Sequence, residues 1–174
     1  MICGMTESGK TSLAKILARE IKERGYRVIV LDPLQDPEWP ADYQTDDPDK
    51  FVQVAKQNIK CLLIVDEAGD SVGQYDKTRF WLATRARHWG HTTFFLAQRA
   101  QMIARTVRDQ CGVAYLFKMS LDDAKLMSNE FAREELKNIN NLGQFEFYYV
   151  TRFGGFGKYR VDIVQKSYHP VREK

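Results

Sequence analysis

Apolar and polar positions along the chain follow two periods. Between residues 11 and 24 the apolar residues Leu13, Ile16, Leu17 and Ile21 recur at helical spacing, and Gly25 follows as a stop. The runs "YRVIVLD", "CLLIVDEAG", "TTFFLAQ" and "VAYLFKMS" are strand-like, and "CLLIVDEAG" is continuously apolar up to its acids. Continuous apolarity suits a parallel sheet covered on both faces. Short helices are predicted over "FVQVAKQN", over residues 77–88 ending near Gly90, and over residues 100–110; a longer one is predicted over 121–136. Residues 32–49 hold four of the five prolines and read as an irregular loop. Residues 145–151 and 158–164 read as a terminal hairpin around "RFGGFG". Strands alternating with helices predict an α/β fold with a parallel, doubly wound sheet. No internal repeat or linker divides the chain, so one domain is expected over residues 1–174. Its core covers about 1–151, with the hairpin and tail over 145–174. A strand usually has about 5–6 residues, yet only "MIC" precedes Gly4.

The stretch that follows "MIC" is "GMTESGKTS", in which Gly4, Gly9, Lys10 and Thr11 match the phosphate-loop pattern between a strand and a helix. The glycines permit a tight curve in which backbone N–H groups converge on phosphate oxygens. The whole run Gly4, Met5, Thr6, Glu7, Ser8, Gly9, Lys10, Thr11 and Ser12 is the predicted nucleotide-binding segment. Lys10 supplies a point charge to the outer phosphates, and the Thr11 hydroxyl can ligate Mg²⁺. No Asn-Lys-x-Asp guanine motif occurs, which favours ATP over GTP.

An acid ending a buried apolar strand is costly unless a cation waits there. Asp66 is so placed and is the predicted Mg²⁺-side acid; the adjacent Glu67 can orient and deprotonate a water. That pair points to hydrolysis rather than transfer to a bound acceptor. Gln98 ends "TTFFLAQ", where an amide can sense the terminal phosphate or position the water. Arg85 and Arg87 lie two apart near a predicted helix end and would diverge by roughly 200° on that helix. One could reach the local site while the other faces a neighbour. His88, His91 and His169 lack metal-ligand spacing and read as structural or surface residues.

Composition changes the picture little, and charge changes it more. The values of 44% hydrophobic and 28% charged residues are those of a globular chain. No apolar run approaches the roughly 20 residues of a membrane helix, and no signal peptide is visible. Cys3, Cys61 and Cys111 read as buried reduced thiols of a cytoplasmic protein. The net charge is only +3, but residues 77–108 hold seven Lys/Arg and no acid, while residues 32–49 hold seven acids and no Lys/Arg. A basic surface is the usual footprint of a nucleic-acid partner, and a solvated helix face is the plainer alternative.

Taken in order, "GMTESGKTS", "LLIVDEA", "TRARHWGHTTFFLAQRA" and "QCGVAYLF" resemble the FtsK–HerA superfamily of ring-forming, DNA-pumping ATPases. The resemblance covers about residues 1–151 and is most specific from Arg87 through Gln98 to Cys111. The family often has glycine where this loop has Glu7. The resemblance implies a three-layer, RecA-like P-loop NTPase fold of the additional-strand, catalytic-glutamate type, with a mostly parallel sheet. It implies Lys10 and Thr11 at nucleotide and metal, Asp66 at the metal, Glu67 as base and Gln98 as sensor. It implies Arg87, with Arg85 second, as an arginine supplied in trans. ATP and Mg²⁺ are the implied cofactors, and double-stranded DNA and a homo-oligomeric, hexameric ring are the implied partners. The small size fits genome-packaging ATPases of tailless, membrane-containing viruses best, with a capsid vertex or membrane proteins as further partners. Such a protein would sit in the host cytoplasm or the virion. Lys77 and Arg79, after the acidic strand, are candidate DNA contacts.

Two other classes remain open. "SGKTSLAKILAREIKERGYRVIVLD" also resembles the opening of adenylylsulfate kinase and its relatives, but only over the first 32 residues. A nucleotide-binding module without turnover is the third class. Within the superfamily, conjugation and chromosome handling stand beside packaging.

Overall fold

The computed structural model describes residues 1–67 and 76–171, with residues 76–79 described in their backbone. Nine strands form one sheet: β1 (Ile2–Cys3), β2 (Val28–Leu31), β3 (Tyr43–Thr45), β4 (Leu62–Val65), β5 (Thr92–Ala97), β6 (Val113–Phe117), β7 (Glu146–Thr151), β8 (Phe156–Asp162) and β9 (Ser167–Pro170). Their order in space is β3-β2-β4-β5-β1-β6-β7-β8-β9. From β3 to β6 every pairing is parallel, and from β6 to β9 every pairing is antiparallel.

The continuous apolar strands divide their side chains between two cores. Along β2, Val28 and Val30 enter one core while Ile29 and Leu31 enter the other; β4 splits Leu62 and Ile64 from Leu63 and Val65 in the same way. Successive strand residues point to opposite faces, so both faces must be covered. Helix α1 (Lys10–Glu23) covers the first face through Leu13, Ala14, Ile16, Leu17 and Ala18. On the other face lie α2 (Pro48–Lys56), α3 (Asp76–Thr84), α4 (Arg105–Gln110) and α5 (Leu121–Phe131). The result is a three-layer α/β fold with a mostly parallel sheet, as the sequence predicts. β5 is the added strand, lying between the phosphate-loop strand β1 and the acidic strand β4.

Several boundaries differ from the sequence reading. α2 begins at Pro48 because the Asp47 carboxylate accepts from the N–H groups of Asp49 and Lys50. The helix expected over 77–88 stops at Thr84 and gives way to a 3-10 turn, Ala86–Trp89, closed by Gly90 at φ 75. The helix expected over 121–136 ends at Phe131, where Ala132 turns left-handed at φ 50. The loop over 32–49 contains the edge strand β3, and the hairpin gains a third strand, β9. β3 pairs with β2 across the acidic loop, whereas β9 folds back directly on β8. Among the described residues no helix is long and apolar enough to cross a membrane.

Candidate active site

The sheet order brings four strand ends to one crevice. Asp32 follows β2, Asp66 follows β4, Gln98 follows β5, and the phosphate loop follows β1. Carboxyl ends of parallel strands are where α/β sheets bind ligands. A recess of about 370 Å³ opens there, lined by Thr6, Lys10, Thr11, Asp66, Glu67 and Gln98 among others.

The loop is held from both sides. Gly4 N–H donates to Ala97 O at 3.2 Å, and Met5 N–H donates to Lys118 O at 2.9 Å. Two glycines are required by space. A Cβ on Gly4 would lie 2.5 Å from the Phe117 Cβ, and one on Gly9, at φ 108, would lie 2.9 Å from the Phe145 ring. Met5, Thr6 and Glu7 are exposed at the loop crest, and Glu7 adopts φ 60. Ser8 is buried, and its Oγ has no hydrogen-bond partner among the described residues. Thr11 and Ser12 open the first turn of α1 and line the recess. Lys10 Nζ donates to Met5 O at 2.8 Å, folded onto the curve that would cradle phosphate. Burial pulls the Lys10 ammonium below its usual range, while the Asp66 and Glu67 carboxylates act the other way.

Asp66 is pushed up to about 6 by burial, helped by the Asp32 and Glu67 carboxylates and opposed by the Glu67 N–H and Lys10. The N–H of Glu67 donates to Asp66 Oδ1 at 2.8 Å. Glu67 takes φ 48, a conformation unusual for a side-chain-bearing residue and recurrent at functional sites. Gln98 Oε1 accepts from the Thr6 hydroxyl at 3.3 Å, tying the β5 end to the loop.

The donor set fits Mg²⁺. A carboxylate whose charge is disfavoured by burial sits beside a hydroxyl and a phosphate cradle, and Mg²⁺ is held by one or two carboxylates plus substrate phosphates and water. Among the described residues no three His, Cys, Asp or Glu side chains converge as an all-protein metal cage.

The two arginines fall elsewhere. α3 ends before them, so Arg85 and Arg87 lie on a break and a 3-10 turn, and the helical divergence expected from their spacing does not apply. Both are exposed, and neither is among the described residues lining the recess at Lys10. Arg87 borders a different recess with Thr92 and Thr93, at the amino end of β5. Lys77 and Arg79 fall in the first turn of α3, and their side chains lie outside the described residues.

Several contributing residues escape a reading of the sequence. Asp32 is 1% exposed and accepts from Leu34 N–H, Asp36 N–H, Trp39 Nε1–H and the Gln44 carboxamide. It anchors the acidic loop as a wall of the recess. Lys15 pairs with Asp36 at 2.6 Å and lies 5.7 Å from the Trp39 ring centre. An acid just after an apolar strand was a usable signal for Asp32. Nothing local marks Gln144 and Phe145, which meet the phosphate loop from 137 residues away in sequence. His91 is structural, as expected: Nδ1 accepts from Cys61 N–H at 3.0 Å, and Nε2 bonds Ala55 O.

No family model matches the chain, and no curated protein matches it in sequence. Solved structures match it in shape. The genome packaging NTPase B204 of Sulfolobus turreted icosahedral virus 2, in complex with sulfate, aligns with TM-score 0.74 over 90% of this chain and 93% of that one, at 16% identity. The chain shares the fold of that protein. VirB4 of Thermoanaerobacter pseudethanolicus aligns with TM-score 0.67 over 88% and 86% of the two chains, at 11% identity. The pCW3 conjugation coupling protein TcpA aligns with TM-score 0.64 over 87% of this chain and 56% of that one, at 16% identity. The three-layer fold expected from the sequence is thus shared with these solved structures.

Proposed function

We infer that the chain is an ATP-hydrolysing motor subunit that moves double-stranded DNA, acting as a ring of like copies in viral genome packaging. The observation that carries this reading is the Asp66–Glu67 pair. It ends a buried strand beside a complete phosphate loop, with Gln98 delivered by the strand inserted between them. The fold shared with a packaging NTPase supports the biological setting. A soluble protein of the host cytoplasm or virion fits this setting.

In this mechanism the loop N–H groups and Lys10 bind the triphosphate, and Thr11 and Asp66 are the residues that would hold Mg²⁺. Mg²⁺ there would neutralise phosphate charge. Glu67 orients a water in line with the terminal phosphate and takes its proton at the carboxylate. Gln98 reports the state of that phosphate to the loop through Thr6. Arg87, at the far end of β5 from its own phosphate loop, serves a neighbour's site rather than its own. Arg85 is the second candidate for that role. Lys77 and Arg79 contact DNA through its phosphates, which makes binding sequence-blind and salt-sensitive.

The test is ATP hydrolysis with and without long double-stranded DNA. Turnover stimulated by DNA, abolished by Lys10→Ala and by Glu67→Gln, is expected. Arg87→Ala subunits should then poison rings of wild-type subunits while still binding nucleotide. Turnover that is indifferent to DNA and needs a small phosphate acceptor would sink the motor reading in favour of a kinase. The fold shared with the conjugation coupling protein TcpA keeps conjugation as a second setting for the same motor.

A further inference from the structure

A bound triphosphate has a direction, and the sheet order decides it. Asp66, Glu67 and Gln98 occupy the β4–β5 side of the phosphate-loop strand β1. They mark where the terminal phosphate and metal belong. The nucleoside must leave past Thr11 and Ser12 on the opposite side, toward β6 and β7. A second recess opens in that direction, of about 330 Å³, lined by Glu7, Thr11, Ser12, Gln144 and Phe145 among others. Its size lies within the range of small-molecule sites, roughly 300–1,000 Å³. The two recesses share Glu7, Lys10, Thr11 and Ser12, so one ligand could span both.

The wall of this second recess is built with care. Phe145 N–H donates to Ser8 O at 3.1 Å, and its carbonyl accepts from Val161 N–H at 2.9 Å. The Gln144 carboxamide donates to Glu7 O at 3.3 Å. Phe145 sits at φ 66, an outlying conformation for an aromatic residue. Its ring lies so close to Gly9 that no side chain could be placed there. The ring is half-buried against the core that holds Leu13, Phe117 and Phe147 and leaves its remaining surface to the recess. Here the strained backbone also brings an aromatic ring and a carboxamide to the recess.

We propose that this recess is the nucleoside subsite, with the Phe145 ring as the surface that meets the base and Gln144 as the group that reads its polar edge. The proposal rests on the ATP-binding reading above. An aromatic ring offers any base a stacking surface. A carboxamide offers a donor and an acceptor, which complement adenine's amino group and neighbouring ring nitrogen.

The experiment compares binding of ATP, GTP and inorganic tripolyphosphate to the full chain, to Phe145→Leu and to Gln144→Ala. ATP affinity should fall about tenfold in Phe145→Leu. It should fall about threefold in Gln144→Ala, with a narrower preference for ATP over GTP. Tripolyphosphate should bind both variants nearly as it binds the wild type, because both keep the backbone bond from Phe145 N–H to Ser8 O. Equal losses for ATP and tripolyphosphate would reduce the segment to a brace of the phosphate loop and overturn the proposal. Unchanged ATP binding would also overturn it, by placing the base elsewhere. If the wild type binds no tripolyphosphate, the phosphate-site reading beneath the proposal fails as well. Should Phe145→Leu not fold, Gln144→Ala decides alone, because Gln144 is exposed.

Discussion

The two halves of the sheet do different work. The parallel half, β3 to β6, carries the phosphate loop, Asp66, Glu67 and Gln98 at the carboxyl ends of its strands. The antiparallel half, β7 to β9, carries none of these. It is held instead by aromatic rings: Phe147 lies 5.1 Å from Phe117 and 5.6 Å from Tyr159, centre to centre. Yet the two halves are not independent. The segment before β7 bonds the phosphate loop through Phe145 and Gln144. Chemistry at strand ends thus needs an edge that keeps the loop in shape.

Glu67→Gln separates the halves most sharply. Hydrolysis should fall by about 10²–10⁴-fold, with an unfolding midpoint near that of the wild type. Equal loss of activity and stability would mean that Glu67 is a structural residue. Phe147→Ala is the converse experiment. Phe147 is fully buried, so its removal should cost about 3–5 kcal/mol in urea unfolding. At a temperature where the variant stays folded, residual ATP binding would show how far the edge supports the loop. Gly9→Ala strikes the contact between the halves. Left-handed backbone and the Phe145 ring together should cost about 1–3 kcal/mol, with nucleotide binding lost in the same variant. Unperturbed binding would mean that the ring yields.

The smallest effect is a pH dependence. Burial pulls the His91 imidazole below its usual range, while its hydrogen bonds to Ala55 and Cys61 act the other way. The folded state therefore keeps His91 neutral where the unfolded chain would protonate it. Its contribution is present above an unfolded value of about 6.5 and is lost as pH falls through the lower folded value. Unfolding free energy should drop between pH 7 and pH 5 from this group. His91→Gln should flatten that slope, and an unchanged slope would mean that His91 does not set it.

Much of the parallel half was legible because its signals are local. The helix stop at Gly25, the acids after β4 and the glutamine after β5 each lie within a few residues of the element they end. The antiparallel half was legible only as a hairpin. β9 has no buried residue, and its pairing with β8 makes it a strand. The helix end at Thr84 was also hidden. No proline or glycine lies between Asp76 and Gly90 to mark the break, and the 3-10 turn after it carries the fully buried Ala86.

Residue types alone mark the phosphate loop, the acid pair, the strand-end glutamine and the apolar strands. Each depends on residue types within a span shorter than one element. Only the tertiary structure decided that β5 separates β1 from β4 and that Arg87 lies at the far end of that strand. It alone brought Gln144 and Phe145 to Glu7 and Ser8. Those outcomes are pairings between distant segments, chosen by which arrangement buries both sheet faces and satisfies the backbone, and no local pattern encodes that choice.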